Sequence, residues 1–323
     1  MIFLFTKRIL FTTYVILLAA CLPESTYATD TNNQESSTPF GRMQSHEPST
    51  LGFSYDNNDV NYMDFKLSFK YPMFHKGVVR PPKFSFLPYP YLAFTGRFSQ
   101  YINTRESSPV ISKRFNPELF GRYWLSTSTS KRGDYIDVIY GHESNGQSIT
   151  TSTSYLDKRN NFIAAGENPD FANDFISRGW DYLAVTWRLK RRNPFSDKSF
   201  LTAYLGLRYY LSDGLLQGTQ EEYNTWENDP EGKPRKSVDG IRLKVKYKTH
   251  FINNSVIKSN KIFLSYTTGY ENIFEYNTYR AEWAVEIKNV PFMIWAAKGY
   301  NSDLADYYRD VTSAGISFEF LTN

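Results

Sequence analysis

Alternation with a period of two dominates this chain. In Met63-Asp64-Phe65-Lys66-Leu67-Ser68-Phe69-Lys70-Tyr71 every odd position is apolar and every even one polar. Ile241-Arg242-Leu243-Lys244-Val245-Lys246-Tyr247-Lys248 repeats the pattern with a basic residue at each even position, and Tyr279, Ala281, Trp283, Val285 and Ile287 alternate with Arg280, Glu282, Glu286 and Lys288. Successive side chains of a strand point to opposite faces, so these segments are strands with one dry face and one wet face. Further segments at 50–55, 91–101, 118–125, 135–144, 179–190, 200–212, 261–270, 292–300 and 312–320 bring the set to about twelve, separated by turn-rich or charged stretches.

A soluble β-sandwich would alternate too. Three features favour a membrane barrel instead. The strands approach ten residues, longer than those of most soluble sheets, and Tyr and Trp recur near strand ends as in the girdles of outer-membrane barrels. The third is the row of four basic residues on one strand face, which suits a polar lumen. An even number of strands closes the sheet and removes its edges. The expected fold is therefore all-β, an antiparallel transmembrane β-barrel of about twelve strands. Composition excludes the main rivals. A mean hydropathy of -0.49 with 22% charged residues is too polar for a helical membrane bundle, and 17% aromatic residues are too many for a disordered chain. One cysteine allows neither a disulfide framework nor a Cys-based zinc site, and a net charge of +4 is too mild to argue for nucleic acid as a partner.

Residues 1–28 read as a secretory signal peptide, with Lys7 and Arg8 ahead of a run from Ile9 to Leu18 that is too short to span a bilayer. Cleavage after Thr26-Tyr27-Ala28 fits the small-residue rule. Leu18-Ala19-Ala20-Cys21 also resembles a lipobox, so whether Cys21 is acylated or removed stays open. Residues 29–49 are polar and aperiodic and read as a flexible arm. Residues 50–323 form the barrel, and export places it in the bacterial outer membrane.

Parity also locates candidate chemistry. Along 135–145, Ile136, Val138, Tyr140, His142 and Ser144 share one face, while Asp137, Gly141, Glu143 and Asn145 take the other. The apolar members mark the first face as the one toward lipid. Asp181 shares a face with Leu183, Val185, Trp187 and Leu189, again the lipid side. If these two strands are neighbours joined by the 146–178 loop, Asp181, His142 and Ser144 converge on the barrel exterior. A nucleophile, a base and an orienting carboxylate make a hydrolase triad, recognised by geometry and not by chain order. Spacing alone also permits a belt of polar side chains meeting lipid headgroups.

The stretch Tyr140-Gly141-His142-Glu143-Ser144-Asn145-Gly146-Gln147-Ser148 resembles the active-site motif of the outer-membrane phospholipase A family, twelve-stranded barrels that hydrolyse phospholipid acyl esters. Glu106-Ser107-Ser108-Pro109, Asn116-Pro117-Glu118-Leu119-Phe120, Ser177-Arg178-Gly179-Trp180-Asp181, and Gly299-Tyr300 with Leu304, Asp306 and Tyr307 follow in the family's order. The resemblance implies Ser144 as nucleophile, His142 as general base and Gly146 as the backbone donor of an oxyanion hole. It also implies calcium bound where two subunits meet, with Ser107, Gln147 and Ser177 at the matching positions. An acidic residue of the loop before Arg242, Glu227 or Asp229, is a further candidate for a secondary contact.

Two departures matter. A family member carries Asn where this chain has Asp181, and the loop between Gln147 and Ser177 is much longer here, so that Ser148, Thr150 or Thr151 can compete with Ser177 for the ion. The expectation is a calcium-dependent phospholipase A, a homodimer acting on glycerophospholipids and lysophospholipids of the outer leaflet. The alternative is a non-catalytic barrel, a pore or structural protein that keeps the motif.

Overall fold

The computed structural model describes residues 43–57, 60–73, 87–102, 110, 112–125, 133–192, 199–217, 233–249, 257–287 and 290–321. Twelve strands run in chain order: β1 (Ser49–Asp56), β2 (Asn61–Pro72), β3 (Tyr89–Tyr101), β4 (Ser112–Trp124), β5 (Tyr135–Ser144), β6 (Gly179–Arg192), β7 (Phe200–Tyr210), β8 (Gly240–Thr249), β9 (Ile257–Gly269), β10 (Thr278–Ile287), β11 (Val290–Gly299) and β12 (Val311–Leu321). Each pairs antiparallel with its neighbours in sequence, and β12 pairs with β1. The sheet is thus a closed up-and-down barrel with no free edge, as the alternation predicts. This is an outer-membrane type of β-barrel. Among the described residues no helix is long and apolar enough to cross a membrane, and the crossing is made by strands.

The faces follow the sequence parity. Leu51, Phe53 and Tyr55 on β1, Leu183, Val185 and Trp187 on β6, and Ile316 and Phe318 on β12 are exposed outward, whereas Asp56, Lys70, Glu118, Asp137, Glu143 and Glu319 are buried. This inversion of the soluble pattern is what a hydrocarbon surround demands.

The interior is filled. Trp180, Tyr182, Tyr210, Leu304, Tyr307 and Val238 form an aromatic core inside the barrel. A four-residue helix, α2 (Arg235–Val238), packs against β7 and β9. Arg235 is fully buried, bonded to Glu143 Oε2 at 2.9 Å and Asn301 Oδ1 at 2.6 Å, with its guanidinium 5.5 Å from the Trp180 ring centroid. Arg208 reaches the same Glu143 oxygen at 3.0 Å, and Arg114 lies 3.4 Å from the other. Burial opposes the charge on Asp239, but Arg242, Arg235 and Arg208 outweigh it and hold that carboxyl well below the usual range.

The segment expected to be a signal peptide and most of the expected arm lie outside the described residues. The described end of the expected arm makes contacts with the barrel. Gln44–Ser45 pairs with Lys70 and Phe69 of β2, just ahead of β1. Glu47 bonds Lys66 at 2.6 Å and Lys244 at 3.3 Å, and His46 sits 2.9 Å from Glu118. Polarity alone gave no sign of this, because the partners come from three separate strands.

A barrel whose backbone bonds are all made between strands resists detergent unfolding. The protein should partition with outer membranes and migrate faster in unheated than in heated electrophoresis. Identical migration with recovery in the soluble fraction would refute the closed barrel.

Candidate active site

β5 and β6 are hydrogen-bonded neighbours whose register sets His142 opposite Asp181 and Ser144 opposite Gly179. His142 Nδ1 lies 2.5 Å from Asp181 Oδ1. An ionised carboxylate only accepts, so this contact assigns the proton to Nδ1 and leaves the Nε2 lone pair free. Gly179 lies between the members of the next pair, His142 and Ser144. A Cβ there would stand 3.4 Å from His142 Cε1, 3.7 Å from Nε2 and 3.5 Å from Ser144 Cβ. The ring's free edge and the serine therefore flank the same bare Cα on the barrel exterior.

The carboxylate is not open to lipid. Although Asp181 belongs to the outward face, it is fully buried. Residues 211–217, which follow β7, fold over it as a strap. Leu211 N–H donates to Asp181 O at 2.9 Å, Leu216 N–H donates to Oδ2 at 2.7 Å, and Asp181 N–H donates to Gln217 Oε1 at 3.3 Å. Tyr140 Oη donates to Oδ2 at 2.5 Å and accepts from Leu215 N–H at 3.0 Å. Parity puts Tyr140 on the right face, but nothing in its residue type assigns it a partner. The strap carries no periodic signal at all.

The long loop after β5 contains structure that alternation does not foretell. Helix α1 (Ser152–Ala164) begins where Thr151 Oγ1 accepts from Ser154 N–H at 3.2 Å, and a 3-10 helix (Pro169–Phe175) packs against it through Phe162 and Phe171. Its root is closed by Asn145, 1% exposed, whose Oδ1 accepts from Arg178 N–H at 2.9 Å and whose Nδ2 donates to Ile176 O at 2.8 Å. Ser177 N–H donates to Ile149 O at 2.7 Å. The insertion thus leaves and returns at one place, so its length does not separate the Gln147 segment from Ser177. Thr151 is committed to capping α1.

Gly146 has φ +58, the left-handed region that favours glycine. Ser107, Glu227 and Asp229 lie outside the described residues. Among the described residues no three His, Cys, Asp or Glu side chains group to hold a metal. An ion beside Gln147 and Ser177 would depend largely on neutral oxygens, a donor set that calcium accepts.

No protein-family model and no curated sequence matches this chain. Solved structures do. Outer membrane phospholipase A from Escherichia coli superposes with a TM-score of 0.54 at 16% identity over 86% of this chain and 98% of that one. The barrel has the fold of outer-membrane phospholipase A. An active-site mutant of the E. coli protein gives a TM-score of 0.57 at 16% identity, covering 90% of this chain and 95% of that one. The Salmonella typhi outer membrane phospholipase, a dimer with bound calcium, gives 0.54 at 15% identity, covering 86% and 92%. The likeness is one of fold.

Removing the Asn145 side chain leaves buried backbone groups of 176 and 178 unpaired, a cost of about 1–3 kcal/mol. Asn145→Ala should increase proteolytic nicking within 146–178 while the heat-dependent mobility of the barrel persists. Unchanged cleavage kinetics would show that the root is held by other contacts.

Proposed function

We propose that this barrel is a calcium-dependent phospholipase A, hydrolysing acyl esters of glycerophospholipids and lysophospholipids that reach its outer surface through the membrane. The observation that carries the reading is the His142 Nδ1 to Asp181 Oδ1 contact of 2.5 Å, with Ser144 beside the free edge of the ring on the outward face. A substrate dissolved in the bilayer meets that face without leaving it. The packed interior, with Arg235, Leu304 and Tyr307 fully buried, argues against the alternative of an open pore.

In the proposed reaction Ser144 Oγ bonds to the acyl carbon as His142 Nε2 takes its proton. Asp181 holds the ring in that orientation and stabilises the imidazolium. Negative charge gathers on the former carbonyl oxygen, where the Gly146 N–H is the backbone donor proposed for the oxyanion hole. Collapse breaks the ester C–O bond, and His142 returns the proton to the leaving glyceryl oxygen. A water then repeats the sequence on the acyl-serine, releasing the fatty acid. Calcium, held by Gln147 and Ser177 together with Ser107 and Glu227, would supply positive charge near the developing oxyanion.

Ser144→Ala and His142→Ala should abolish fatty-acid release from mixed micelles while leaving the barrel's mobility shift intact, because neither removes a packed core group. Asp181→Asn, which keeps an oxygen for the ring but not an acceptor for Tyr140 and Leu216, should lose less activity than Asp181→Ala, which should lose roughly ten- to a thousandfold in kcat. Retained turnover in Ser144→Ala at matched calcium would place the chemistry elsewhere.

Calcium and self-association should also be linked, each strengthening the other. Cross-linked dimer and hydrolysis are expected to rise together in a calcium titration and fall together with chelator. Full activity in a monomeric, chelated sample would overturn that part of the proposal.

A further inference from the structure

We infer that Tyr140, acting with the 211–217 strap, is a positioning residue that locks Asp181 so that a single carboxylate oxygen addresses His142. The inference rests on the hydrolase reading and deepens it, since it names the device that keeps the base aligned on a surface bathed in lipid.

A carboxylate that touches an imidazole through one oxygen is still free to turn about its side-chain bonds and to offer the other oxygen, or neither. Here the second oxygen is saturated. Oδ2 accepts from Tyr140 Oη at 2.5 Å and from Leu216 N–H at 2.7 Å, while Oδ1 lies 2.5 Å from His142 Nδ1. The three donors come from two barrel segments, β5 and the strap, so the carboxylate is fixed against both.

The Tyr140 hydroxyl is itself aligned. It accepts from Leu215 N–H at 3.0 Å, so an amide proton on its lone pair polarises the O–H that points to Asp181. A tyrosine serving only as part of an interfacial girdle would turn its hydroxyl to headgroups and water. This one turns it onto a side chain that has no exposed surface.

The strap encloses Asp181 from end to end. Leu211 N–H binds its carbonyl, Gln217 Oε1 accepts from its amide, and Gly214 between them packs so closely that a Cβ would fall 2.2 Å from Asp181 Cβ and Oδ2. Leu215 and Leu216, 88% and 58% exposed, turn outward while their amides face inward. The strap thus gives lipid an apolar surface and gives the carboxylate polar partners, which offset the cost of a charge on this face.

The test is a kinetic cycle on micellar short-chain phosphatidylcholine, using the full-length protein in detergent with saturating calcium. Tyr140→Phe should lower kcat about tenfold with KM unchanged. Asp181→Ala should lower it further, and the double variant should be no worse than Asp181→Ala alone, because Tyr140 acts only through that carboxylate. Gly214→Ala, which must lift the strap, should reproduce the kcat loss of Tyr140→Phe. Heat-dependent mobility confirms that each variant is folded.

A second readout does not need turnover. With 15N-labelled histidine, the His142 Nδ1–H resonance should lie far downfield, vanish in Asp181→Ala, and be displaced or lost in Tyr140→Phe. A parent that hydrolyses no ester would sink the hydrolase reading, and the resonance would still decide the clamp. If Tyr140→Phe keeps both the parent resonance and, in an active parent, its kcat, or if the losses in the double variant add, Tyr140 is not a positioning residue.

Discussion

Backbone N–H and C=O groups have no water to bond to in hydrocarbon, and the ladder that closes β12 onto β1 satisfies them for the whole ring. Everything else in the molecule inherits its geometry from that closure. Once the sheet is a tube, strand parity has only two meanings, inside and outside. His142 and Ser144 share the parity of Ile136 and Val138, so they stand outside, where a lipid can reach them and a solute in the lumen cannot.

The same parity anchors the site from within. Glu143 lies between His142 and Ser144 in sequence and therefore points inward, where Arg235, Arg208 and Arg114 converge on its carboxylate. Breaking one partner of such a buried cluster leaves a charge uncompensated, which makes the arrangement stiff whatever its net contribution to stability. Trp180, adjacent to Asp181, is likewise packed inside against Tyr210 and Tyr307. His142, Ser144 and Asp181 are thus carried on backbone whose inward neighbours are fixed, and Arg178, buried with its Nε bonded to Ala305 O at 3.0 Å, ties the return of the insertion to the loop before β12.

A buried ionised group on a lipid face needs partners, and Asp181 obtains them from three directions: the imidazole, a phenol two residues before it on β5, and an amide of the strap. Those donors suit a carboxylate at this position. A carboxylate accepts from all three, which a side-chain amide cannot do because its nitrogen only donates.

The sequence by itself determined the strands and their faces. Which side chains share a face depends only on alternation along one segment, so the alternation of 63–71 and 241–248, the outward set on β5 and the outward position of Asp181 were all legible without a fold. Register, covering and filling were decided by the tertiary structure. That Ser144 falls opposite Gly179, that residues thirty or more positions downstream cover Asp181, that the insertion closes on Asn145, and that Lys233-Pro234-Arg235-Lys236 sends its arginine into the barrel instead of into solvent all depend on contacts between remote segments. No local period records such contacts, because hydrogen bonds and ion pairs across the barrel constrain chemistry at single positions and leave the intervening chain free.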